Sequence, residues 1–240
     1  MNMRSTLNTV FSIASLVLGT VAALGEGPTP RGGRVAWGRL VTESLSWRVH
    51  GENDTVLATF IRENTSLNID PTCYSADPSR LEELSKYPFI FTNNLTNVTD
   101  PSRLANIREY LYRGGFIYID RCVNLAYSLP QEPFYERHVA LFARLLPGCA
   151  IRELPDNHAI YHCYFTLDGT GTRLRMGHIE AGHNGIYGVY VENRMVVLLS
   201  LANLQCGWPN SPAKRDACMK MIANIYVYAM TRPGSLPVQR

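Results

Sequence analysis

The sequence predicts an α/β domain: a mostly parallel β-sheet with helices on both faces and an antiparallel hairpin near the C-terminus. Three observations carry that prediction. Short apolar runs of strand length alternate with amphipathic stretches of helical spacing along the chain. The unit from Pro88 to Asp120 reads as strand, helix, strand with short connections, which calls for a right-handed parallel crossover. Two apolar runs, Gly185 to Val191 and Met195 to Leu201, flank Glu192-Asn193, a polar tight turn that favours an antiparallel pair.

The elements follow in order. Arg34 to Val41 is apolar and strand-like. Asn53-Asp54 caps a helix whose Val56, Leu57, Phe60 and Ile61 share one face. Leu67 to Ile69 is a short strand, ended by Asp70-Pro71, and Pro78 to Lys86 is a short helix. Pro88 to Phe91 is a compact apolar run of the buried-parallel type. Asp100-Pro101 then supplies an N-cap and a proline at the first helical position. Leu104, Ile107 and Leu111 recur at helical spacing, Gly114-Gly115 stops the helix, and Phe116 to Ile119 is a strand with Asp120 at its end. Glu132 to Leu146 is an amphipathic helix stopped by Pro147-Gly148, and Ile151 to Leu154 is a strand. Ser211-Pro212 opens the last helix, whose broad apolar face holds Cys218, Met221, Ile222, Ile225, Tyr228 and Ala229.

The chain has 240 residues and a formal charge of +3, with no Lys/Arg block, so nothing in its charge pattern calls for nucleic acid. Residues 1–25 read as a secretory signal peptide: Arg4, then an apolar run from Val10 to Leu18, then small residues at Val21-Ala22-Ala23. An uncleaved anchor is the alternative, and it is the one route to membrane contact. Residues 26–33 are a Gly/Pro-rich linker, 34–232 the domain and 233–240 a tail. The expected location is therefore periplasmic or cell-envelope. Six cysteines lie at long, irregular spacings without a C-x-x-C pair, which leaves disulfides open and argues against a zinc ribbon or redox motif.

Four segments occur in a telling order: Tyr87 to Phe91 (YPFIF), Ile107 to Asp120 (IREYLYRGGFIYID), Leu154 to His162 (LPDNHAIYH) and Asn224 to Thr231 (NIYVYAMT). Together they resemble the uncharacterised bacterial family catalogued as domain of unknown function 4159. Arg39, Trp47, Asp54 and Thr65 look like that family's N-terminal part. The resemblance covers residues 33 to 232. It implies a class I glutamine-amidotransferase-like, flavodoxin-like sheet, similar in its helix-Gly-Gly-strand unit to trehalose-utilisation (ThuA-like) domains. It implies nothing about activity, because chemistry does not travel with a fold. After Asp120 the family more often continues with an acidic or aromatic residue and a glycine; here Arg121-Cys122-Val123-Asn124 follow.

In open α/β sheets, ligands gather at the carboxyl ends of the strands. That rule selects Arg39, Asn93, Asn94, Asp120, Arg121 and Cys122. Asp120 either binds a ligand hydroxyl or polarises water, or it caps the next loop. Cys122 stands where amidotransferases carry a nucleophile, but Arg121 and Val123 do not encode the glycine-flanked elbow. His158 and His162 are four apart; in an extended segment that is about 13 Å, too far for one ion. They serve either as acid or base with Asp120 or as backbone partners in an irregular connection. Trp208, before the last helix, either lines a cleft or covers the core. No motif fixes a metal or a cofactor.

Two readings follow. In the first, the chain is a non-catalytic ligand-binding or assembly module, with Arg39, Asn93, Arg121 and Trp208 around an unknown small molecule, or with an envelope protein as partner. In the second, it is a hydrolase or sugar-modifying enzyme using Asp120 and His158 or His162. Thiol amidotransfer through Cys122 is a weaker third.

Overall fold

A computed structural model of the chain describes residues 34–121, 134–167, 185–207 and 212–232. The strands are β1 (Val35–Leu40), β2 (Ile69–Ala76), β3 (Phe89–Thr92), β4 (Phe116–Asp120), β5 (Ala150–Glu153), β6 (Ile186–Val191) and β7 (Arg194–Ser200). The helices are α1 (Asp54–Asn64), α2 (Leu81–Ser85), α3 (Pro101–Tyr112), α4 (Phe134–Leu145) and α5 (Pro212–Thr231). The strands form one sheet in the order β2-β1-β3-β4-β7-β6-β5. The first five in that order run parallel, and β6 is antiparallel to both its neighbours. This is a flavodoxin-like order with β7 in the fifth place, extended by the β6–β7 hairpin and by β5.

Alternation along each strand decides which side chains meet which layer. Val35, Trp37, Phe89, Phe91, Phe116 and Tyr118 point to the face covered by α1 and α5. There Trp37 packs its ring 4.9 Å from Phe89 and 5.5 Å from Phe91. Ile90, Ile117, Ile119 and Leu199 point the other way, onto Leu84 of α2, Ile107 and Leu111 of α3 and Phe142 of α4. Each of these fully buried side chains contributes about 1.5–3 kcal/mol relative to leaving it in water. Both faces are apolar because helices cover both, so the strands read as continuous apolar runs.

The punctuation around α3 is local. Asp100 Oδ1 accepts from the backbone N–H of Ser102 at 2.7 Å and of Arg103 at 3.3 Å, and Pro101 follows. Gly114 then takes φ +107°, and Gly115 N–H bonds the Tyr110 carbonyl at 2.9 Å.

Two boundaries differ from the sequence expectation by three residues or more. β2 does not end at Asp70-Pro71 but runs through it to Ala76. It is an edge strand, where a missing proline N–H leaves no ladder bond broken, and its register against β1 slips between Val35 and Trp37. Asp70 stabilises the irregularity by accepting from Thr72 N–H at 2.9 Å and Tyr74 O–H at 2.6 Å. The short helix α2 begins at Leu81, not Pro78. Asn106 of α3 donates to the carbonyls of Pro78 and Ser79, each at 3.0 Å, and holds that stretch as a turn.

Candidate functional site

Register places the candidate site. Thr92 pairs with Ile119, and Asp120 pairs with Ser200, which pairs with Ile186. Asn93, Asp120 and Ser200 therefore succeed one another at the carboxyl ends of β3, β4 and β7. By alternation all three fall on the α1/α5 side, one step beyond Phe91 and Tyr118. All three are buried.

The order reversal between β1 and β3 is where such folds open a crevice. Here the chain after β1 folds over it. Arg39, buried at the end of β1, sends Nε and Nη2 to the two carboxylate oxygens of Asp54, both at 2.6 Å. Its Nη1 donates to the carbonyls of Trp47 and Val49, both at 2.9 Å. The guanidinium also lies 4.6 Å from the centre of the Phe91 ring. Desolvation pushes the Asp54 carboxyl up despite the opposing pull of Arg39. Asn93 Nδ2 donates to the carbonyl of Ser46, and Asn97 Nδ2 to the Ser46 hydroxyl at 2.8 Å. Arg39 and the amino group of Asn93 thus hold the loop that covers the switch point.

Asp120 is wholly buried. Its Oδ2 accepts from the backbone N–H of Gln205 at 2.7 Å, and its carbonyl accepts from Gln205 Nε2 at 3.2 Å. Two residues earlier on the same side, the Tyr118 hydroxyl is driven well up, by burial first and by the Asp120 charge second. Because carbonyls only accept, these bonds fix which end of each amide is nitrogen. The oxygens that remain, Asn93 Oδ1 and Gln205 Oε1, are buried and accept no hydrogen bond among the described residues. Asn203 Oδ1 is a third such oxygen, on a residue in the left-handed region at φ +57°.

The histidines lie elsewhere. Helix α5 runs antiparallel to the parallel strands. Its Cys218 acts electrostatically on Tyr118 near their carboxyl ends. Tyr226 O–H reaches the Ala36 carbonyl, and Arg232 reaches the carbonyls of Gly114 and Gly115, at their amino ends. His158 packs its ring 5.5 Å from Tyr228, ten residues and about 15 Å beyond Cys218 along that helix. It caps the turn Ala159–Tyr161, accepting from Ile160 N–H at 3.2 Å through Nδ1, and burial lowers its pKa. His162 is exposed on the following segment. The contacts therefore group Asp120 with Gln205 and Ser200, and His158 with Tyr228. Arg121 stays beside the row, donating its backbone N–H to the Ser200 carbonyl at 3.0 Å. Trp208 and Cys122 lie outside the described residues. Cys73, Cys149 and Cys163 are free thiols. Among the described residues no group of three His, Cys, Asp and Glu side chains could hold a metal.

Sequence reasoning did not single out Ser200, Asn203 or Gln205. The available signal was a polar residue ending an apolar run, at Ser200, followed closely by two amides.

A family model described as Domain of unknown function (DUF4159) matches residues 37–230. Among curated proteins none matches the chain. Among solved structures the chain is similar to a putative ThuA-like protein from Bacteroides uniformis, at 10% sequence identity and a TM-score of 0.50. That similarity covers 90% of this chain and 99% of the other. At such identity the likeness speaks for the fold alone.

Proposed function

This chain belongs to the family described as Domain of unknown function (DUF4159), and from that premise we propose that it is a non-catalytic binding module. Its ligand is a small molecule rich in hydrogen-bond donors, held at the strand ends beside Asp120. One observation carries the reading. Asn93 and Gln205 have their amino groups committed to carbonyls, so each keeps a buried oxygen with no donor among the described residues. An unanswered buried acceptor costs about 1–3 kcal/mol, and a ligand hydroxyl or amine recovers that cost on binding. Asp120 adds a carboxylate to the same row.

The enzymatic alternative asks Asp120 to work with His158 or His162. It draws no support from a His158 that packs on Tyr228, about 15 Å along α5 from Cys218. The leader-like residues 1–25 support export to the periplasm or cell envelope.

The test is a thermal-shift survey of the full chain with sugars, nucleotides and peptides, alongside Asp120→Ala and Gln205→Met, after bound metal has been measured. At least one donor-rich compound should raise the wild-type Tm and leave both variants unmoved. If no compound distinguishes wild type from the variants, the reading is lost.

A further inference from the structure

The opposite face of the sheet carries a second feature that the strand-end site does not use. A groove of about 640 Å³ runs between α3 and α4. Leu104, Arg108 and Tyr112 of α3 form one wall, and Leu141, Arg144 and Leu145 of α4 form the other. A hollow of about 360 Å³ shares Leu104, Leu141 and Arg144 with it and continues toward Val98 and Arg137. The floor is apolar, and Tyr112 is 41% exposed at its edge.

The charges along this groove are unequal. Elsewhere on α3, Arg103 pairs with Glu43 at 3.4 Å, and Glu109 pairs with Arg113, just past the helix end, at 2.7 Å. Glu109 also lines the groove, and Arg113 already neutralises it. Arg108 lies 5.6 Å from the centre of the Tyr112 ring, and Arg144 reaches only the carbonyl of Ala140, at 3.4 Å. Neither guanidinium has a carboxylate within ion-pair distance among the described residues. Two exposed arginines on opposite walls above leucines make a positively charged, apolar-floored channel.

We propose that this groove docks an acidic, leucine-bearing segment of a partner protein. Its apolar side chains sit on Leu104, Leu141 and Leu145, and its carboxylates meet Arg108 and Arg144. The charge asks for an anion, and arginine's fork suits the planar carboxylate. The leucine floor asks for an apolar body, which a nucleic-acid backbone does not bring. A concave channel between two helices fits a rod better than the flat surface of a bilayer. Each helix spans about 18 Å, so about three turns of an amphipathic helix fill the channel.

The probe is a dye-labelled peptide of about 14 residues, with leucines at helical spacing and glutamates flanking them, read by fluorescence anisotropy against the full chain. A second peptide carries lysine in place of each glutamate. The acidic peptide should bind wild type and the lysine peptide should not. Arg108→Glu/Arg144→Glu should weaken the acidic peptide about tenfold or more and gain the lysine peptide, the exchange a charge-matched groove requires. Both positions are exposed, and an unchanged Tm checks the fold; Arg108→Gln/Arg144→Gln replaces the reversal if the Tm falls. Several results would overturn the proposal. These are no binding to wild type up to about 1 mM, a weak-affinity limit, or equal binding to wild type and variant. Capture by vesicles of one-third phosphatidylserine in place of the peptide would do the same. So would a dimer of the chain that the double variant dissociates.

Discussion

Gln205 grips Asp120 twice, its backbone N–H on the carboxylate at 2.7 Å and its side-chain amide on the carbonyl at 3.2 Å. The backbone contact survives any side-chain change, whereas the amide contact does not. Gln205→Met keeps volume and removes a buried oxygen whose lack of a donor costs about 1–3 kcal/mol, but it also takes the amide donor from the buried Asp120 carbonyl, which costs about as much. The two effects offset, so the variant should be about as stable as wild type, while losing any ligand that stabilises the native protein. Chemical denaturation with and without the ligand found in the thermal-shift survey checks both halves. A loss of more than about 3 kcal/mol, beyond what stranding the Asp120 carbonyl supplies, shows that Oε1 has a structural role.

Arg39 and Asp54 are joined by two bonds of 2.6 Å in a site both residues share with little water. Removing one member strands the other, which costs about 3–5 kcal/mol; replacing both with apolar residues of similar volume costs far less. Asp54→Ala should thus be much less stable than wild type, and Arg39→Met/Asp54→Leu should recover part of that loss. Urea midpoints measure the cycle. Additive losses would mean that the pair does not act as a unit.

How far residues could be read without coordinates depended on the range of the interactions that place them. The α3–β4 unit was legible because its signals are neighbours in sequence: Asp100 before Pro101, and Gly114 before the strand. β2 was not, because Pro71 is harmless only on a sheet edge, and edge position is a property of the whole strand order. Asp120 and Asn93 emerged from the strand-end rule. Gln205 did not, because only the pairing of Asp120 with Ser200 brings the segment after β7 to it. The commitment of Arg39 to Trp47, Val49 and Asp54 was equally hidden, since it depends on how the chain after β1 closes over the sheet. Histidine spacing carried no information on the antiparallel course of α5, which sets His158 against Tyr228.

His138 is buried on α4 with both ring nitrogens engaged. Nδ1 meets the carbonyl of Phe134 at 2.8 Å, and Nε2 accepts from Leu95 N–H at 3.3 Å, which requires a neutral ring. Burial lowers its pKa to about 4. An unfolded histidine binds its proton near pH 6.5. Above that value neither state is protonated, and the full stability is present. As pH falls from about 6.5 toward about 4 the unfolded chain takes up a proton the folded one refuses, and stability drops by about 3 kcal/mol in all. Below the folded value this contribution levels off. The ring's own titration by NMR, with denaturation midpoints across the same window, tests the sign. A ring titrating near pH 6.5 in the folded protein would refute it.

Cys73 sits beside the Arg39–Asp54 pair. Burial, the main cause, and the Asp54 charge push its thiol up to about 12. Only a thiolate attacks an alkylating reagent, so Cys73 should resist iodoacetamide at pH 8 until the protein unfolds. Asp54→Ala, by loosening the fold around it, should make labelling of Cys73 track the population of open protein. Peptide mass spectrometry after timed labelling follows this cysteine separately from the others. Rapid modification of Cys73 in stable wild type contradicts the expectation.

The Tyr110 ring lies over Gly115. Its hydroxyl donates to the carbonyl of Tyr87 at 2.8 Å and accepts from Phe116 N–H at 3.2 Å. A methyl group at position 115 would occupy the space of three ring carbons, and the ring is wholly buried, so it cannot swing away. Gly115→Ala should cost about 3 kcal/mol or more, the upper range for overpacking a dense core. Two other glycines separate sterics from backbone preference. Gly148 has open space but φ +80°, so Gly148→Ala should cost about 1–2 kcal/mol from conformation alone. Gly51 has open space and no positive φ, so Gly51→Ala should be neutral or stabilise by about 0.4–1 kcal/mol through the unfolded chain. Thermal denaturation of the three variants should therefore rank them 51, 148, 115 from mildest to most damaging. If Gly115→Ala matches Gly148→Ala, the close approach of Tyr110 does not restrict position 115 in solution.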